Sequence, residues 1–470
     1  MLIIKNSQLI VKNGQNEFDA KAREFALTIL ESAIASVNSK GLVRAHVRLL
    51  DSILEVRGVR LDLDDYDRIV VVGGGKASGR MAEALEETLD DYISAGIINV
   101  PHGTAGSFRT DIIEANEAGH PIPDNGGLEG VSKMMDLVNG LSERTLVINL
   151  LSGGGSSLLP APQDGISLEE KQRTTSLLLK CGATIDDVNI VRKHISAIKG
   201  GRLAAIAYPA TVLSIMLSDV VGDPLPTIAS GPTVPDPSTF LDAILILKRY
   251  GIWKEIPESV RKYLEIGMAG KNPESPKPGD VRLSKVYNII LGNNRIALES
   301  AEREAKKLGC NTLILSSYIE GEARHVGTVL SALVKEMVAA DQPIVKPGVL
   351  LAGGETTVTV IGSGKGGRNQ EVALGAALHL SGLKGVAIAS VGTDGLDGAC
   401  DAAGAIIDGM TLKRASDMGM EPVNYLKDND SYHFFKNLND TILTGPTGTN
   451  VNDIMVLVAL EGEKAFKAQR

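Results

Sequence analysis

The stretch Val70-Val71-Val72-Gly73-Gly74-Gly75-Lys76 places a glycine-rich turn and a lysine directly after an apolar run. Glycine has no Cβ, so its backbone adopts positive φ angles and its N–H groups can approach an anion closely. Apolar side chains then recur every four residues from Ala77 to Leu89, which predicts a helix. A strand, a glycine turn and a helix in this order predict an anion-binding loop in an α/β fold.

Two further apolar runs end in similar turns. One is Leu151-Ser152-Gly153-Gly154-Gly155-Ser156-Ser157, and the other is Leu351-Ala352-Gly353-Gly354-Glu355. Ligands of open parallel sheets bind beyond the carboxyl ends of the strands, so all three turns are candidate phosphate seats. If two domains enclose a cleft, we expect the three turns to line it.

Strand-like runs alternate with helical segments along the chain, for example Arg68 to Val72, Thr145 to Leu150 and Thr211 to Leu217. This alternation predicts an α/β fold of mostly parallel sheets with helices on both faces. The chain has 470 residues, more than the roughly 250–300 at which single cores stop growing, so we expect two domains.

The domain boundary is predicted at residues 271–280, which are rich in proline, glycine and charge and are typical of a linker. Residues 1–270 then form a larger, Rossmann-like N-terminal domain, and residues 281–470 form a smaller α/β domain. Near the N-terminus, Phe18 to Val37 carries an apolar stripe at helical spacing. This stripe predicts a packing helix, with a dimer contact as the alternative.

The composition excludes several classes of protein. The formal net charge is −9, from 48 basic and 57 acidic residues, and no basic run occurs, so nucleic acid and anionic membranes are poor partners. Cys181, Cys310 and Cys400 are odd in number and widely spaced, which indicates neither a disulfide framework nor a structural zinc site. The sequence shows no signal peptide and no long apolar span, so we expect a cytoplasmic protein.

Neither lysine that follows a glycine belongs to a Walker A loop. Gly75-Lys76 precedes Ala77, and Gly364-Lys365 precedes Gly366, whereas the motif requires Ser or Thr at that position. P-loop kinase chemistry is therefore excluded.

A G-x-G-x-x-G pattern does occur at Gly362, Gly364 and Gly367, between the strand-like Thr356 to Ile361 and a helical run. This pattern keeps a nicotinamide-linked reductase as an alternative. The cations of the loop suit a triphosphate or a carboxylate better than the pyrophosphate of a dinucleotide.

Phosphoryl transfer from ATP needs cations, glycine N–H donors and one or two carboxylates for Mg²⁺ or for the attacking hydroxyl. The candidate cations are Lys76 and Arg368. The candidate carboxylates, all in loops after predicted strands, are Asp219, Asp223, Glu355, Asp394 and Asp397.

Six short blocks occur in order along the chain: Gly73-Gly74-Gly75-Lys76-Ala77-Ser78, Leu151-Ser152-Gly153-Gly154-Gly155-Ser156-Ser157, Leu217-Ser218-Asp219-Val220-Val221-Gly222-Asp223, Gly353-Gly354-Glu355-Thr356-Thr357, Gly366-Gly367-Arg368-Asn369-Gln370-Glu371 and Thr393-Asp394-Gly395-Leu396-Asp397-Gly398. In these blocks the chain resembles the two-domain glycerate 2-kinases, whose C-terminal part is the MOFRL domain. The resemblance covers nearly everything from about Phe18 to the end.

The resemblance implies phosphorylation of D-glycerate at the 2-hydroxyl, giving 2-phosphoglycerate and ADP, at a site between the two domains. It implies ATP and Mg²⁺, or another divalent cation, as cofactors, and it leaves a homodimer open. Relatives also carry the name hydroxypyruvate reductase, so that NAD(P)H-dependent activity is the alternative. A non-catalytic phosphometabolite-binding protein is the third hypothesis.

Residue by residue, the resemblance implies a catalytic centre of Lys76, Asp219 and Arg368. The residues expected to bind nucleotide or phosphate are Gly74, Gly75, Ser152, Gly153, Gly154, Gly155, Ser156, Ser157, Gly353, Gly354 and Glu355. The substrate-side candidates are Asn369, Asp394, Thr447 and Asn450, and the metal candidates are Asp223 and Asp394.

Several of these roles stay open. Asp219 ends an apolar strand and is expected to be a general base or a substrate-orienting acid, with a metal ligand and a turn aspartate as alternatives. His120 lies in a proline-rich turn and is equally consistent with acid–base and structural roles. The segment from Thr444 to Asp453 is polar and glycine-rich, and either closes over the substrate carboxylate or is a plain turn.

Overall fold

The structure is a computed structural model in which residues 3–460 are described. The chain forms two compact units. The central unit is Ser39–Leu291, and the composite unit joins the two ends of the chain, Met1–Asn38 and Gly292–Arg470. This division differs from the predicted one, which assigns the N-terminal helix to the first domain and ends that domain at residue 270.

The chain passes from the composite unit to the central unit and back. The composite unit begins with α1 (Ser7–Lys12) and α2 (Glu17–Ser36). The strands of the central unit are β1 (Val47–Leu50), β2 (Ile53–Val56), β3 (Val59–Asp62), β4 (Arg68–Gly74), β5 (Ala95–Pro101), β6 (Ile113–Ala118), β7 (Thr145–Leu151), β8 (Thr211–Leu217) and β9 (Val286–Gly292). Its α-helices are α3 (Ser39–His46), α4 (Ser78–Leu89), α5 (Asn125–Val138), α6 (Gly155–Leu158), α7 (Leu168–Lys180), α8 (Ile185–His194), α9 (Arg202–Ala207), α10 (Phe240–Arg249) and α11 (Glu258–Met268).

After β9 the chain returns to the composite unit. The remaining α-helices of this unit are α12 (Asn294–Lys307), α13 (Ala323–Ala340), α14 (Arg368–Ala377), α15 (Thr411–Asp417), α16 (Pro422–Lys427) and α17 (Ser431–Leu438). Its strands are β10 (Asn311–Glu322), β11 (Gly348–Thr357), β12 (Val386–Gly392), β13 (Gly404–Asp408), β14 (Thr441–Ile442) and β15 (Asp453–Ala459).

The main sheet of the central unit has six strands in the order β6-β5-β4-β7-β8-β9. The pairs β4–β5, β4–β7, β5–β6 and β7–β8 are parallel. Strands are therefore added outward from β4 in both directions, which is the doubly wound Rossmann order. The winding reverses between β4 and β7, and such sheets bind ligands in the crevice at the carboxyl ends of the two strands where it reverses.

Burial explains why this sheet forms as predicted. Every residue of β7 and β8 is buried, as expected for parallel strands covered on both faces.

Helices α7, α8, α10 and α11 pack together around Phe240 in a second, helical core of the unit. The small antiparallel sheet β1-β2-β3 is not among the elements predicted from the sequence.

The sheet of the composite unit is mixed, with strand order β10-β11-β15-β12-β13-β14. The pair β10–β11 is parallel, and each pair from β11 to β14 in this order is antiparallel. The α/β fold is confirmed, but the expectation of a mostly parallel sheet is wrong for this unit. No helix separates β12 from β13, so the chain can turn back directly between these two antiparallel strands.

The N-terminal helix α2 belongs to the composite unit because its side chains bond there. Arg23 is fully buried, and its guanidinium donates to Asp408 Oδ2 at 2.5 Å and to Asp440 Oδ1 at 2.7 Å. Asp19 accepts a hydrogen bond from the Gly385 N–H at 2.7 Å. The apolar residues of α2 are buried as well, so the stripe is core packing, as predicted, but in the other unit.

The residues before α2, to which the sequence assigns no role, extend this packing. The Lys5 N–H donates to the Leu443 carbonyl at 2.8 Å, and the Asn6 amide donates to the Thr441 carbonyl at 2.8 Å. The segment therefore covers the short edge strand β14, a common way to protect a sheet edge.

The predicted linker, residues 271–280, is bonded within the central unit. The Ser275 hydroxyl donates to Asp236 Oδ2 at 2.9 Å, and the Phe240 N–H donates to Glu274 Oε1 at 2.8 Å. Its proline and glycine residues belong to an ordered loop, because buried polar partners hold the segment in place. Within residues 3–460, no helix is long and apolar enough to cross a membrane.

Candidate active site

Three neighbouring strands of the central sheet end in residues predicted to be functional. Lys76 follows β4, Ser152 follows β7, and Asp219 follows β8. The strands β4, β7 and β8 are adjacent and parallel, so their carboxyl ends share one edge. The structure thus brings Lys76, Ser152 and Asp219 to the edge where doubly wound sheets bind ligands.

The first two loops are hydrogen-bonded to each other. The Lys76 N–H donates to the Gly153 carbonyl at 2.8 Å, and the Ala77 N–H donates to Ser152 Oγ at 2.9 Å. Gly75 has φ 150°, and a Cβ at this position would collide with Ser152 Oγ. The glycine is therefore required for the close approach of the loops. Ser152, predicted to bind phosphate, is buried and holds the Lys76 loop in place.

Asp219 is packed against the glycine loop that follows β7. Its carboxylate lies so close to the Cα of Gly153 that any Cβ there would collide with Oδ2. Asp219 itself is partly exposed, whereas the preceding Ser218 is buried. The carboxylate thus lies at the carboxyl edge of the sheet, beside the loop that also binds the Lys76 N–H.

His120 also lies at this edge. A Cβ on Gly154 would lie 2.9 Å from His120 Nε2 and 3.4 Å from Lys76 Cγ, so the imidazole and the lysine stem flank the same glycine. Burial, together with the nearby charge of Lys76, lowers the pKa of His120. The imidazole is therefore neutral at pH 7, which suits a hydrogen-bonding group beside a lysine.

Ser156 begins the next layer of contacts. Its hydroxyl lies 3.0 Å from Ser230 Oγ, which in turn donates to Asn189 Oδ1 at 3.0 Å. Ala229 and Ser230 have φ values of 50° and 60°, a conformation that is uncommon outside glycine. Strained backbone of this kind concentrates at functional sites.

A cavity of about 290 Å³ opens beside Ser156 and Ser157 within the central unit. Its lining includes the side chains of Lys171, Arg192 and Lys199, which were not predicted to be functional. Lys171 lies on α7 and Arg192 on α8, where the sequence gives them the pattern of ordinary helix cations. No motif in the sequence marks these three side chains, because they line one cavity only once the chain has folded.

The third predicted glycine turn is not a turn. Gly353 and Gly354 lie inside β11, where Gly354 pairs with Ile319 on one side and with Asp453 on the other. A Cβ on Gly354 would collide with the Ile319 backbone. These glycines permit close strand packing and do not form the expected turn, and their role in phosphate binding stays a prediction.

Arg368 lies in the composite unit at the start of α14, with its side chain about one-third exposed. Its Nε and Nη2 donate to the two carboxylate oxygens of Asp453 at 2.7 and 3.0 Å, and its Nη1 donates to Glu355 Oε1 at 2.7 Å. Three of the five guanidinium N–H groups are thus used within the protein. A contact between Arg368 and a ligand would use the remaining N–H groups.

Asp453 is the buried partner in this cluster. Burial raises its pKa to about 7, against the opposing charge of Arg368 and a hydrogen bond from Asn369 at 2.9 Å. Despite the opposing effect of burial, Asp453 and Glu355 raise the pKa of Arg368 above its usual range. Three donors converge on Asp453, two from Arg368 and one from Asn369, and they oppose the effect of burial on its pKa.

Asn369 and Asp397 complete the cluster. Asp397 is buried, and its carboxylate accepts from the backbone N–H groups of Asn369 and Gln370 at 3.0 and 2.9 Å. It therefore caps the N-terminus of α14. Asn369, predicted to contact substrate, is itself buried and bonded to Asp397, Asp453 and Ser390.

The remaining substrate-side candidates lie on two connected loops. Thr447 Oγ1 donates to the Thr393 carbonyl at 2.5 Å, and the Thr447 N–H donates to the Asp394 carbonyl at 3.2 Å. Asn450 Oδ1 accepts from the Asn452 N–H at 3.1 Å. The structure brings Asp394, Thr447 and Asn450 together, with the Thr447 hydroxyl used inside the loop.

Family models and relatives match most of this chain. The domain of unknown function DUF4147 matches residues 25–265, and the MOFRL family matches residues 348–453. D-glycerate 2-kinase of Thermotoga maritima is 45% identical over 83% of this chain and 91% of its own length. Glycerate 2-kinase of Pyrococcus horikoshii is 41% identical over 93% of this chain and 97% of its own length.

A crystal structure of glycerate kinase from Thermotoga maritima is similar with a TM-score of 0.83 at 41% identity, over 93% of this chain and 99% of that chain. The chain belongs to the glycerate 2-kinase family. An Agrobacterium vitis relative, provisionally named a hydroxypyruvate reductase, is 40% identical over 94% of this chain and 95% of its own length. Both names therefore occur among members of the glycerate 2-kinase family.

The G-x-G-x-x-G pattern, which supported the reductase alternative, does not form a dinucleotide loop in this family member. The Gly362 N–H donates to Asn429 Oδ1, and the Gly364 N–H donates to the Asp428 carbonyl, both at 2.9 Å. The predicted strand before it, Thr356 to Ile361, exists only as the last two residues of β11. The backbone N–H groups of Gly362 and Gly364 are thus occupied within the chain.

Proposed function

We propose that this chain transfers the γ-phosphoryl group of ATP to the 2-hydroxyl of D-glycerate, giving 2-phosphoglycerate and ADP. The observation that carries this proposal is the convergence of Lys76, the Ser152–Ser157 loop and Asp219 at the carboxyl ends of three adjacent parallel strands. Membership of the glycerate 2-kinase family supports the same activity. A cation, a glycine-rich loop and a carboxylate are the groups that phosphoryl transfer requires.

Lys76 is proposed to neutralise charge on the transferred phosphoryl group or on the glycerate carboxylate. Its side chain is exposed at the edge of the sheet, just before α4. A cation before a helix opposes the helix dipole, and an anion bound beside Lys76 would offset this cost. The Lys76 N–H is held by Gly153, which fixes the loop before any ligand enters.

Asp219 is proposed to orient the 2-hydroxyl and accept its proton. The carboxylate is partly exposed and lies against Gly153, next to the loop that bonds the Lys76 backbone. General bases contribute typically 10²–10⁴-fold to a rate, and they must lie within hydrogen-bond reach of the proton. A role as a metal ligand is the second hypothesis for this residue.

Arg368 is proposed to contribute to the same reaction through the N–H groups that its bonds to Asp453 and Glu355 leave unused. Its position is fixed by the bonds to Asp453 and Glu355. Asn369 and Asp397 hold the start of α14 and so position the arginine. Arg368 is the proposed catalytic residue. The proposed positioning residues around it are Glu355, Asn369, Asp397 and Asp453.

Mg²⁺ is proposed to accompany ATP. Within residues 3–460 no group of three or more His, Cys, Asp or Glu side chains is placed to hold a metal ion by itself. Kinase magnesium sites commonly use one or two carboxylates together with substrate phosphates, and Asp219 and Asp223 on the loop after β8 fit that need. When bound, Mg²⁺ neutralises charge on the β- and γ-phosphate oxygens.

The proposal is tested by measuring ADP release in a coupled assay with ATP, Mg²⁺ and D-glycerate. The same preparation is assayed for NADH and NADPH oxidation with hydroxypyruvate. ADP release that depends on D-glycerate, without hydroxypyruvate-dependent oxidation, is the expected result. The reverse pattern would establish the reductase, and ligand-induced thermal shifts with neither activity would establish a binding protein.

A cytoplasmic location and a homodimer stay predictions.

A further inference from the structure

The cavity beside Ser156 and Ser157 has an unusual charge distribution. Lys171, Arg192 and Lys199 line it, and none of the described residues in its lining is acidic. Lys171 and Lys199 are 7% and 1% exposed, so both are buried in the wall. Three basic side chains therefore surround one space, without a carboxylate among them.

The two buried lysines are bonded to neutral groups. Lys171 Nζ donates to the Ala161 carbonyl, and Lys199 Nζ donates to the Ala229 carbonyl, both at 3.1 Å. An ammonium group has three donors, so one carbonyl leaves donors for a ligand. Buried charges in proteins are normally paired with an opposite charge, because removing an isolated ion from water is costly.

The cost of burial is visible in the acid–base properties of the cavity. Burial, followed by the charge of Arg192, lowers the pKa of Lys171 to about 7. Burial and the charges of Lys171 and Arg192 lower the pKa of Lys199 well below its usual range. Burial also lowers the pKa of Arg192. An anion in the cavity would oppose each of these shifts.

The rest of the lining is apolar at the mouth and hydroxylic near the glycine loop. Ile122 and Leu179 are 70% and 56% exposed, and both line the cavity. Ser156 and Ser157 line it on the side of the loop after β7. Pockets for small ligands combine apolar walls with a few polar groups in this way. An apolar mouth and a cationic interior fit a molecule with a flat apolar end and a polyanionic tail.

The cavity is also next to the proposed reaction site. Pro121 lines the cavity and follows His120, whose imidazole contacts Gly154 beside Lys76. Ser156 lies two residues beyond Gly154 on the same loop. A chain of phosphates that starts in the cavity can therefore extend along the loop toward Lys76.

We propose that this cavity binds the phosphate chain of the nucleotide, with Lys171, Arg192 and Lys199 around the phosphates and Ile122 and Leu179 against the nucleoside. This assignment rests on the proposed function for the identity of the nucleotide. The cavity and its cations do not depend on it.

The test is calorimetric binding of ATP, of inorganic tripolyphosphate and of D-glycerate to the full chain and to four variants. Arg192→Met and Lys171→Met each remove a positive charge but keep an unbranched chain. Ser176→Trp fills the cavity from an exposed position of its lining. Arg173→Met is the matched control, because Arg173 lies exposed on α7 and does not line the cavity.

The expected result is at least a tenfold weaker Kd for ATP and for tripolyphosphate in the first three variants, with Arg173→Met within twofold of the parent chain. In steady-state kinetics, the KM for ATP should rise at least tenfold while the KM for D-glycerate stays within twofold. This split separates a ligand contact from a purely structural role, which would lower Tm without changing the ratio of the two KM values.

Two outcomes would overturn the assignment. One is an unchanged ATP and tripolyphosphate Kd in folded Arg192→Met and Ser176→Trp chains. The other is a selective rise in the KM for D-glycerate, which would assign the cations to the substrate carboxylate. If the parent chain shows no kinase activity but loses tripolyphosphate binding in the three variants, the proposed function fails and the anion cavity stands.

Discussion

Two groups of cations in this chain are held in different ways. In the central unit, Lys171 and Lys199 donate to backbone carbonyls at 3.1 Å in a cavity whose described lining has no acid. In the composite unit, Arg368 donates to Asp453 and Glu355 at 2.7 Å. The first group has no acidic partner in the described lining of its cavity, whereas the second is paired with carboxylates of the protein itself.

This difference separates two ways of contributing to a reaction. Substitution of a residue that faces the ligand in the central unit is expected to change turnover or affinity without changing the free energy of unfolding. Substitution of Arg368 or of a residue bonded around it is expected to change both the activity and the free energy of unfolding, because each of these residues also bonds a buried neighbour. Variants in both units test this comparison, from the largest expected effect to the smallest.

The largest effect is expected for Lys76→Met. Loss of one preorganised charge on the transferred group typically costs 10²–10³-fold in kcat, and we expect a loss of about 10³-fold. Since Lys76 is exposed, Tm should change little. Steady-state kinetics with D-glycerate and a melting curve measure both quantities. Near-normal turnover in the folded variant would remove Lys76 from the reaction.

Gly153→Ala tests the placement of Asp219. A Cβ at Gly153 would displace the Asp219 carboxylate, and we expect a loss of about 10²-fold in kcat, because small misplacements of reacting groups are costly. The cost in stability should be small, since the displaced group is the end of a side chain. Gly106→Ala is the matched control, because a Cβ at Gly106 meets no atom within 4 Å. Equal kcat in the two variants would contradict the role of Asp219.

The Asp219 role itself is resolved by Asp219→Asn with a titration of Mg²⁺. Loss of a general base should lower kcat by about 10²-fold at every Mg²⁺ concentration. Partial recovery at high Mg²⁺ would instead assign Asp219 as a metal ligand.

Arg368→Lys is expected to show the mixed behaviour of the composite unit. A lysine keeps the charge but loses the paired donors to Asp453, which is fully buried. We expect about tenfold lower kcat together with about 1–2 kcal/mol lower stability. Chemical denaturation and kinetics on the same preparation measure both. A loss of turnover with unchanged stability would place Arg368 with the residues that face the ligand.

The last effect to be tested is a pH dependence of nucleotide affinity. Lys171, with its pKa lowered to about 7, is mostly neutral in the empty cavity above that pH and should regain its proton when an anion enters. Binding then takes up protons, so ATP affinity should fall as pH rises from about 7.5 to 9, by at most about tenfold per pH unit. Arg192 and Lys199 face the same space and have lowered pKa values as well. Calorimetry in buffers of different ionisation enthalpy measures the proton uptake, and Lys171→Met should reduce it. An equal uptake in the parent and variant chains would exclude Lys171 as its source.

The two units also differ in how much of their structure the sequence predicts. Strands β4, β7 and β8 and the loops after them follow from local signals, namely apolar runs that end in glycine with Lys76 or Asp219 next to them. These signals are local because a parallel strand buried on both faces is uniformly apolar. The Rossmann order of the central sheet follows from the alternation of strands and helices.

What the sequence could not predict depends on distant contacts. Arg23 bonds to Asp408 and Asp440, more than 380 residues away, so no local pattern places α2 in the composite unit. The glycines of β11 look like those of a loop, but β10 and β15 pair with them on both sides. The cations of the cavity face one another only after α7 and α8 have packed.

The most direct test of the proposed reaction is the identity of the phosphorylated product. The parent chain and Lys76→Met are incubated with ATP, Mg²⁺ and D-glycerate, and the products are identified by phosphorus NMR. We expect 2-phosphoglycerate and ADP in equal amounts from the parent chain and almost none from the variant. Phosphorylation at the 3-hydroxyl, or equal product from both chains, would contradict the proposed reaction.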